Sequence, residues 1–206
     1  LGRTAVGYQA WDGIRSVDYL LSRPEVDGTR PIGMTGNSGG GGQTMYLMAL
    51  DDRVGPAAPS CHITALERNF ELGSAGDGCQ SAPWTGAEGI DHPDFFAMRA
   101  PRPSIILAAE QDFKDIRFTR KTFQAAVRWM RRWLYDDPSP VAEPDLTVHA
   151  AETLQVTKAG QVLREFPDAE SIDAWNLRRA RELAPDRAAF WDASSTDEAL
   201  AEIRRM

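Results

Sequence analysis

The chain has 206 residues, of which 42% are hydrophobic and 26% are charged, and these shares are ordinary for a soluble globular protein. The net charge of −7 is unevenly placed, because residues 1–135 hold 15 acidic and 15 basic side chains whereas residues 136–206 hold 15 acidic and 8 basic ones. This acidic surplus argues against nucleic acid and anionic membranes as partners. No apolar run approaches the roughly 20 residues that span a membrane, and no signal peptide is recognisable.

The first half of the chain alternates between helical and extended patterns. Apolar residues recur every three or four positions between Tyr8 and Leu21, which predicts a helix. A short apolar strand follows over Pro31–Thr35, and it leads through the glycine-rich run 36–42 into a second helix that ends near Leu50. Helix, strand, sharp turn and helix in this order predict a parallel sheet covered by helices.

The middle of the chain repeats this alternation less clearly. Residues 54–60 indicate a weaker strand that prolines interrupt, and residues 62–95 have the composition of a long loop. The continuous apolar run within Ser104–Ala109 predicts a strand that is buried on both faces. A further amphipathic helix is predicted from about Thr119 to Tyr135.

The acidic, proline-rich stretch 136–140 predicts a domain boundary. We therefore expect one domain at 1–136 and an acidic accessory tail at 137–206. The tail is predicted to contain a hairpin with strands at 153–157 and 161–166, followed by helices at 171–184 and 196–206. Ser195 and Glu198 have the spacing of a capping box for the last helix.

The sequence Gly36-Asn37-Ser38-Gly39-Gly40 matches G-x-S-x-G, the pattern of a nucleophile elbow. Such a turn between strand and helix needs neighbours without side chains, and it raises the serine oxygen above the edge of the sheet. The amide of Gly39 is then expected to face the oxyanion that forms during acyl transfer. A flexible loop and a phosphate-binding loop are the alternatives, although a P-loop requires a lysine that is absent here.

Longer stretches around this motif resemble the acetyl xylan esterase-like family of α/β-hydrolases. They are YQAWDGIR at 8–15, DYL at 18–20, SRPEVD at 22–27, TGNSGGGGQTMYLMALDDRV at 35–54, DHPDF at 91–95, MRAPRP at 98–103, AAEQDF at 108–113, the helix at 125–134 and LQVTKAGQV at 154–162. The resemblance implies an α/β-hydrolase fold, with a mostly parallel sheet and helices on both faces. It also implies a serine esterase that removes acyl groups, often acetyl, from carbohydrate, with no cofactor and no metal.

By the same resemblance, Asp112 is the acid of the catalytic triad. The sequence agrees with this assignment, since Asp112 comes just after a buried strand, and catalytic loops in α/β folds lie at the carboxyl ends of strands. A solvated loop aspartate is the alternative interpretation, and Asp115 is a near substitute.

The expected catalytic histidine has no obvious counterpart. In this fold the triad order is serine, acid, histidine, yet the predicted closing helix begins about seven residues after Asp112, which leaves no room for another helix and strand. The resemblance thus implies a copy that is truncated at its N-terminus and lacks the unit before the closing helix. Among the three histidines, His62 is expected to be structural, His92 to position a loop, and His149 to be a weak candidate for the base.

Three hypotheses remain open from the sequence. The chain is a carbohydrate esterase whose histidine segment is missing, with a gap between Ile116 and Arg117; or it is a deletion product that binds ligand without turnover; or it is a peptidase of the prolyl oligopeptidase type. The expected partner is a small-molecule or carbohydrate ester, and formation of a homo-oligomer is compatible with the sequence. The resemblance points to an extracytoplasmic location, while Cys61 and Cys79 could form a disulfide or be two free thiols.

Overall fold

The computed structural model describes residues 2–71, 81–108, 120–142 and 144–205. Its contacts divide the chain into two compact units, Arg3–Pro144 and Asp145–Met206, the latter together with Leu1–Gly2. The elements in chain order are α1 (Ala5–Leu21), β1 (Ile32–Asn37), α2 (Gly39–Leu50), β2 (Val54–Ser60), α3 (Leu66–Glu71), α4 (His92–Arg99), α5 (Arg120–Tyr135), α6 (Ala151–Leu154), α7 (Val162–Glu165), α8 (Ile172–Ala193) and α9 (Thr196–Arg205). None of the helices in the described part is long and apolar enough to cross a membrane.

The sheet of the first unit is parallel. β1 pairs with β2, and the register from Met34 opposite Ala57 to Asn37 opposite Ser60 is continuous. A third extended segment continues the sheet on the other side of β2, where Ser104 and Leu107 form isolated parallel bridges. The amide of Leu107 donates to the carbonyl of Pro59 over 3.0 Å, so the segment is held by ladder-type hydrogen bonds. The predicted parallel arrangement is therefore observed.

Helices cover both faces of this sheet. Adjacent residues of a strand point to opposite faces, and β2 shows this clearly. Ala57 packs with Met45 and Met48 of α2 on one face. Ala58 packs with Ala126 of α5 on the other. Both alanines are fully buried, as is all of β2, which agrees with a strand covered on two sides.

A buried arginine connects these layers. The Arg99 side chain is 1% exposed and donates hydrogen bonds to the carbonyls of Met48 and Pro103 over 3.2 and 2.9 Å. It also donates to the Gly55 carbonyl and to the Ser104 hydroxyl. Burial lowers the pKa of this guanidinium to about 10. Arg99 therefore ties α2, β2 and the 103–104 segment to the end of its own helix, α4.

The region 62–95, predicted to be a loop, contains more structure than expected. Helix α3 lies within it and α4 begins at its end. The start of α4 has a complete capping box, in which the Asp91 side chain accepts from the first turn and the Asp94 side chain accepts from the amide of Asp91. This capping box has aspartate at both positions, which differs from the Ser/Thr and Glu/Gln form of the motif.

In the second unit, the predicted hairpin is wrong. Residues 151–154 and 162–165 form the short helices α6 and α7 instead of paired strands. A lone hairpin needs a surface to pack on, whereas Val156 is 97% exposed and Leu154 is 64% exposed here. Only the turn was placed correctly, since Gly160 has a left-handed φ of 66°.

The helices of this unit fit the sequence better. The capping box of α9 is confirmed, because the Ser195 amide donates to Glu198 over 2.9 Å and the Glu198 amide donates to the Ser195 hydroxyl over 3.3 Å. Helix α8 was expected to end at Ala184, before Pro185, but it continues to Ala193. The helix therefore includes Pro185, which cannot donate a backbone hydrogen bond to the preceding turn.

Candidate active site

Ser38 lies at the sharp turn between β1 and α2. Its φ of 54° and ψ of −115° form a combination that residues with side chains rarely adopt. Two backbone hydrogen bonds close the turn, since the Ser38 amide donates to the Ser60 carbonyl and the Gly42 amide donates to the Ser38 carbonyl, each over 3.0 Å. The strand–turn–helix context required for a nucleophile elbow is therefore present at Ser38.

The glycines on either side are required by close backbone contacts. A Cβ atom at Gly36 would lie 2.4 Å from the carbonyl oxygen of Gly40, and one at Gly41 would lie 2.3 Å from that of Ser60. Both distances are shorter than any side chain tolerates. A strand and a helix can thus approach this closely only where these positions lack side chains.

Helix α2 begins directly after Ser38. Gly39 is the first residue of this helix, and the first amides of a helix have no acceptor within it. These N–H groups and the helix dipole favour negative charge at the helix N-terminus. The role predicted for the Gly39 amide, as donor to an oxyanion at Ser38, is compatible with its place in the first turn of this helix.

The described residues include only some of the catalytic partners that the sequence predicts for Ser38. The Ser38 hydroxyl makes no hydrogen bond to any residue in the four described ranges, and it does not cap α2. Asp112, its substitute Asp115 and the proposed gap between Ile116 and Arg117 lie outside the described residues. The assignment of Ser38, Gly39 and Asp112 to a catalytic site thus stays a prediction.

The histidines occupy three different environments. His62 follows the end of β2, at the same sheet edge as Ser38, and its ring is stacked on that of His92 with centroids 4.9 Å apart. His92 is 5% exposed, and its Nδ1 accepts from the Thr64 amide over 3.2 Å. Desolvation, with a smaller contribution from His62, lowers the pKa of His92 to about 4. His149 is exposed and belongs to the second unit.

The role predicted for His92 agrees with the structure, whereas the stacking of its ring on that of His62 was not predicted. His92 was expected to position a loop, and its hydrogen bond to Thr64 holds the segment that follows β2. The contact between His62 and His92 joins residues 30 positions apart, and no periodic pattern connects them. The sequence gives one indication of this contact: His62 comes just after a predicted strand, and a second histidine lies in the loop region that follows it.

Cys61, between Ser60 and His62, has a left-handed φ of 51°, and its thiol forms no disulfide with another described residue. Cys79 lies outside the described residues, so the proposed pairing of the two cysteines stays open. Within the described part of the chain, no group of three or more histidine, cysteine or acidic residues is arranged to hold a metal ion.

No protein-family model matches this chain, and no curated protein matches it. Solved structures of three esterases show partial similarity. The methylesterase BT1017 has 24% identity and a TM-score of 0.48, covering 69% of this chain and 40% of its own. An acetyl xylan esterase from Paenibacillus sp. R4 has 20% identity and a TM-score of 0.45, covering 61% of this chain and 52% of its own.

The third structure is acetyl xylan esterase 1 from Thermoanaerobacterium sp. JW/SL YS485, with 18% identity and a TM-score of 0.41. The similarity covers 59% of this chain and 51% of that one. This chain thus spans about half, or less, of the length of the three structures. Similarity at this level assigns no chemical role to any residue.

Proposed function

We propose that this chain is a serine hydrolase that removes acyl groups, acetyl in particular, from carbohydrate-type esters through an acyl-enzyme on Ser38. The observation that carries this proposal is the strained backbone of Ser38 between a parallel strand and a glycine-rich helix start. Strain of this kind costs about 1–3 kcal/mol and persists where the surrounding structure and the function require it. The acyl group and the class of sugar ester follow from the resemblance to acetyl xylan esterases.

The proposed reaction has two halves. The Ser38 hydroxyl attacks the ester carbonyl, a base takes its proton, and the amide of Gly39 stabilises the oxyanion. Collapse of this intermediate breaks the bond to the alcohol, which leaves with that proton. Water then attacks the acyl-enzyme, the base takes a proton from it, and Ser38 leaves with that proton as the acid is released. Asp112 orients the base in this proposal, and the base itself is to be identified, with His149 and His62 as the candidates.

A second candidate function is ligand binding without turnover. It is favoured by one observation, namely that the Ser38 hydroxyl has no hydrogen-bond partner among the described residues. A serine without a base is a poor nucleophile, and removal of a triad member lowers kcat by several powers of ten. The two functions therefore predict very different rates of ester hydrolysis.

The experiment is hydrolysis of p-nitrophenyl acetate and of acetylated xylo-oligosaccharides by the whole chain and by Ser38→Ala. Ser16→Ala is the matched control, because Ser16 is an exposed serine on α1 whose hydroxyl only donates to a backbone carbonyl. Acetate release that disappears in Ser38→Ala and persists in Ser16→Ala supports the esterase. A rate for the unmodified chain equal to that of Ser38→Ala contradicts the esterase and leaves the binding function.

A further inference from the structure

The imidazole of His62 lies so close to Gly42 that a side chain at position 42 would be in tight contact with it. A Cβ atom at Gly42 would lie 3.0 Å from both Cε1 and Nε2 of His62, and one at Gly41 would lie 3.0 Å from its Cβ. The G-x-S-x-G pattern ends at Gly40, so the motif itself requires neither glycine. The contact with His62 gives a physical reason for the extension of the glycine run to Gly42.

His92 holds His62 in this place. The two rings are nearly parallel, with 24° between their planes. His92 also fixes the chain just after His62, since its Nδ1 accepts the Thr64 amide over 3.2 Å. Its own position is set by the start of α4, where Asp91 accepts from the amides of His92 and Leu66 over 2.6 and 3.1 Å. A buried ring with these anchors has little freedom to move.

The same backbone that meets His62 also closes the turn at Ser38. The Gly42 amide donates to the Ser38 carbonyl, and the Ser38 amide donates to the carbonyl of Ser60, two residues before His62. A displacement of His62 would thus be transmitted to the first turn of α2 by direct contact. The amide of Gly39, the proposed oxyanion donor, belongs to that turn.

We propose that His62 and His92 are a pair of positioning residues for the nucleophile turn, in which His92 holds the His62 ring against Gly42 and thereby sets the first turn of α2. This inference depends on the proposed function only in that Ser38 is taken as the nucleophile. Neither ring needs to touch the substrate in this role. Loss of the pair therefore lowers kcat more than it changes KM, because the oxyanion donors are displaced while the substrate surface remains.

The sharpest test is a double-mutant cycle between Gly42→Ala and His62→Ala. Gly42→Ala alone is expected to lower kcat on p-nitrophenyl acetate about threefold to tenfold, because the His62 ring, 3.0 Å from the added methyl group, must shift by a few tenths of an ångström and moves the turn with it. In the His62→Ala background the added methyl group has room, and the same substitution is expected to change kcat by less than about twofold. Gly28→Ala is the matched control, since a Cβ there meets only an ordinary contact of 3.7 Å with Leu21.

His92 variants separate its two contacts. His92→Asn retains an acceptor for the Thr64 amide and loses the ring, whereas His92→Phe retains a ring and loses the acceptor. Amide resonances of Gly39 to Gly42 are recorded for all variants, because they report the geometry of the turn whether or not the protein hydrolyses esters. Both variants are expected to shift these resonances, and His92→Phe is expected to retain the larger share of kcat.

The outcomes distinguish the two proposals. Additive effects of Gly42→Ala and His62→Ala, or glycine amide resonances unchanged in His62→Ala, overturn the positioning pair. Loss of activity in His62→Ala as complete as in Ser38→Ala, with the glycine amides unmoved, also overturns it and makes His62 the base. Absence of Ser38-dependent hydrolysis in the unmodified chain contradicts the proposed function alone, because the resonances still test the pair.

Discussion

The amide of Ser38 donates a hydrogen bond to the carbonyl of Ser60 over 3.0 Å, so the turn after β1 is bonded to the last residue of β2. The next residue, Cys61, has a left-handed φ of 51°, and the chain turns there toward His62. Two adjacent strands therefore end in strained residues at one edge of the sheet. In parallel α/β sheets this edge, at the carboxyl ends of the strands, is where ligands bind.

Ser38→Gly is expected to stabilise the fold while it removes the proposed nucleophile. The φ of 54° and ψ of −115° cost a residue with a side chain about 1–3 kcal/mol, and glycine avoids most of this. We expect a gain of about 1 kcal/mol in the free energy of unfolding, measured by urea denaturation. Ser38→Ala is the control, because alanine removes the same hydroxyl and keeps the strain. A lower urea midpoint for Ser38→Gly than for Ser38→Ala would show that the turn is unstrained.

Gly36→Ala is expected to disrupt the turn. Its Cβ would meet only backbone, with the carbonyl oxygen and carbon of Gly40 at 2.4 and 2.5 Å, so no side-chain rotation can relieve the clash. Overpacking of this kind costs about 1–3 kcal/mol. Thermal unfolding of Gly36→Ala and of the control Gly28→Ala measures the difference. Equal melting temperatures for the two variants would contradict the close approach of β1 and α2.

Local patterns in the sequence predicted the part of the fold that surrounds Ser38. The helix at 8–21, the strand at 31–35 and the helix within the glycine run are confirmed as α1, β1 and α2, with ends that differ by three residues at most. Such elements are encoded by periodicity and by glycine, which act over a few residues. The position of Ser38 at the turn followed from the same local signals.

Features that depend on distant residues were not predictable. Arginine is rarely buried, yet Arg99 is buried and bonds to residues 44 to 51 positions away. The hairpin at 153–166 had a strand-like pattern, but the described residues of the second unit contain no sheet to pack against, and short helices form instead. Asp112, the predicted triad acid, lies outside the described residues, so the site can be compared with its prediction only at Ser38 and Gly39.

Arg99→Met is expected to destabilise the first unit by about 3 kcal/mol or more. Methionine fills a similar volume but leaves the carbonyls of Met48, Gly55 and Pro103 without donors in a buried place. Arg99→Lys is the matched variant, because it keeps the charge and loses the fork that reaches several carbonyls at once. We expect an intermediate loss for lysine in urea denaturation. Retention of full stability by Arg99→Met would show that these hydrogen bonds contribute nothing.

The pH dependence of stability is expected to carry the signature of His92. Its pKa is about 4 in the folded protein and ordinarily 6.5, so the unfolded chain binds a proton between these values that the folded chain does not. Stability therefore rises with pH from about 4 to 6.5 and levels off above. The whole effect is about 3 kcal/mol, from 1.36 kcal/mol for each pKa unit.

Other groups titrate in the same range, so the measurement compares the unmodified chain with His92→Phe by urea denaturation from pH 4 to 7. Phenylalanine keeps a buried ring and binds no proton, and the difference in unfolding free energy between the two proteins should therefore vary with pH by about 3 kcal/mol. Asp91 and His62 are the charged or titratable groups that act on His92, and neither is altered. A difference that does not vary with pH would mean that His92 has the same pKa in the folded and the unfolded protein. The Thr64 hydrogen bond and the stack on His62 would then have to open near neutral pH.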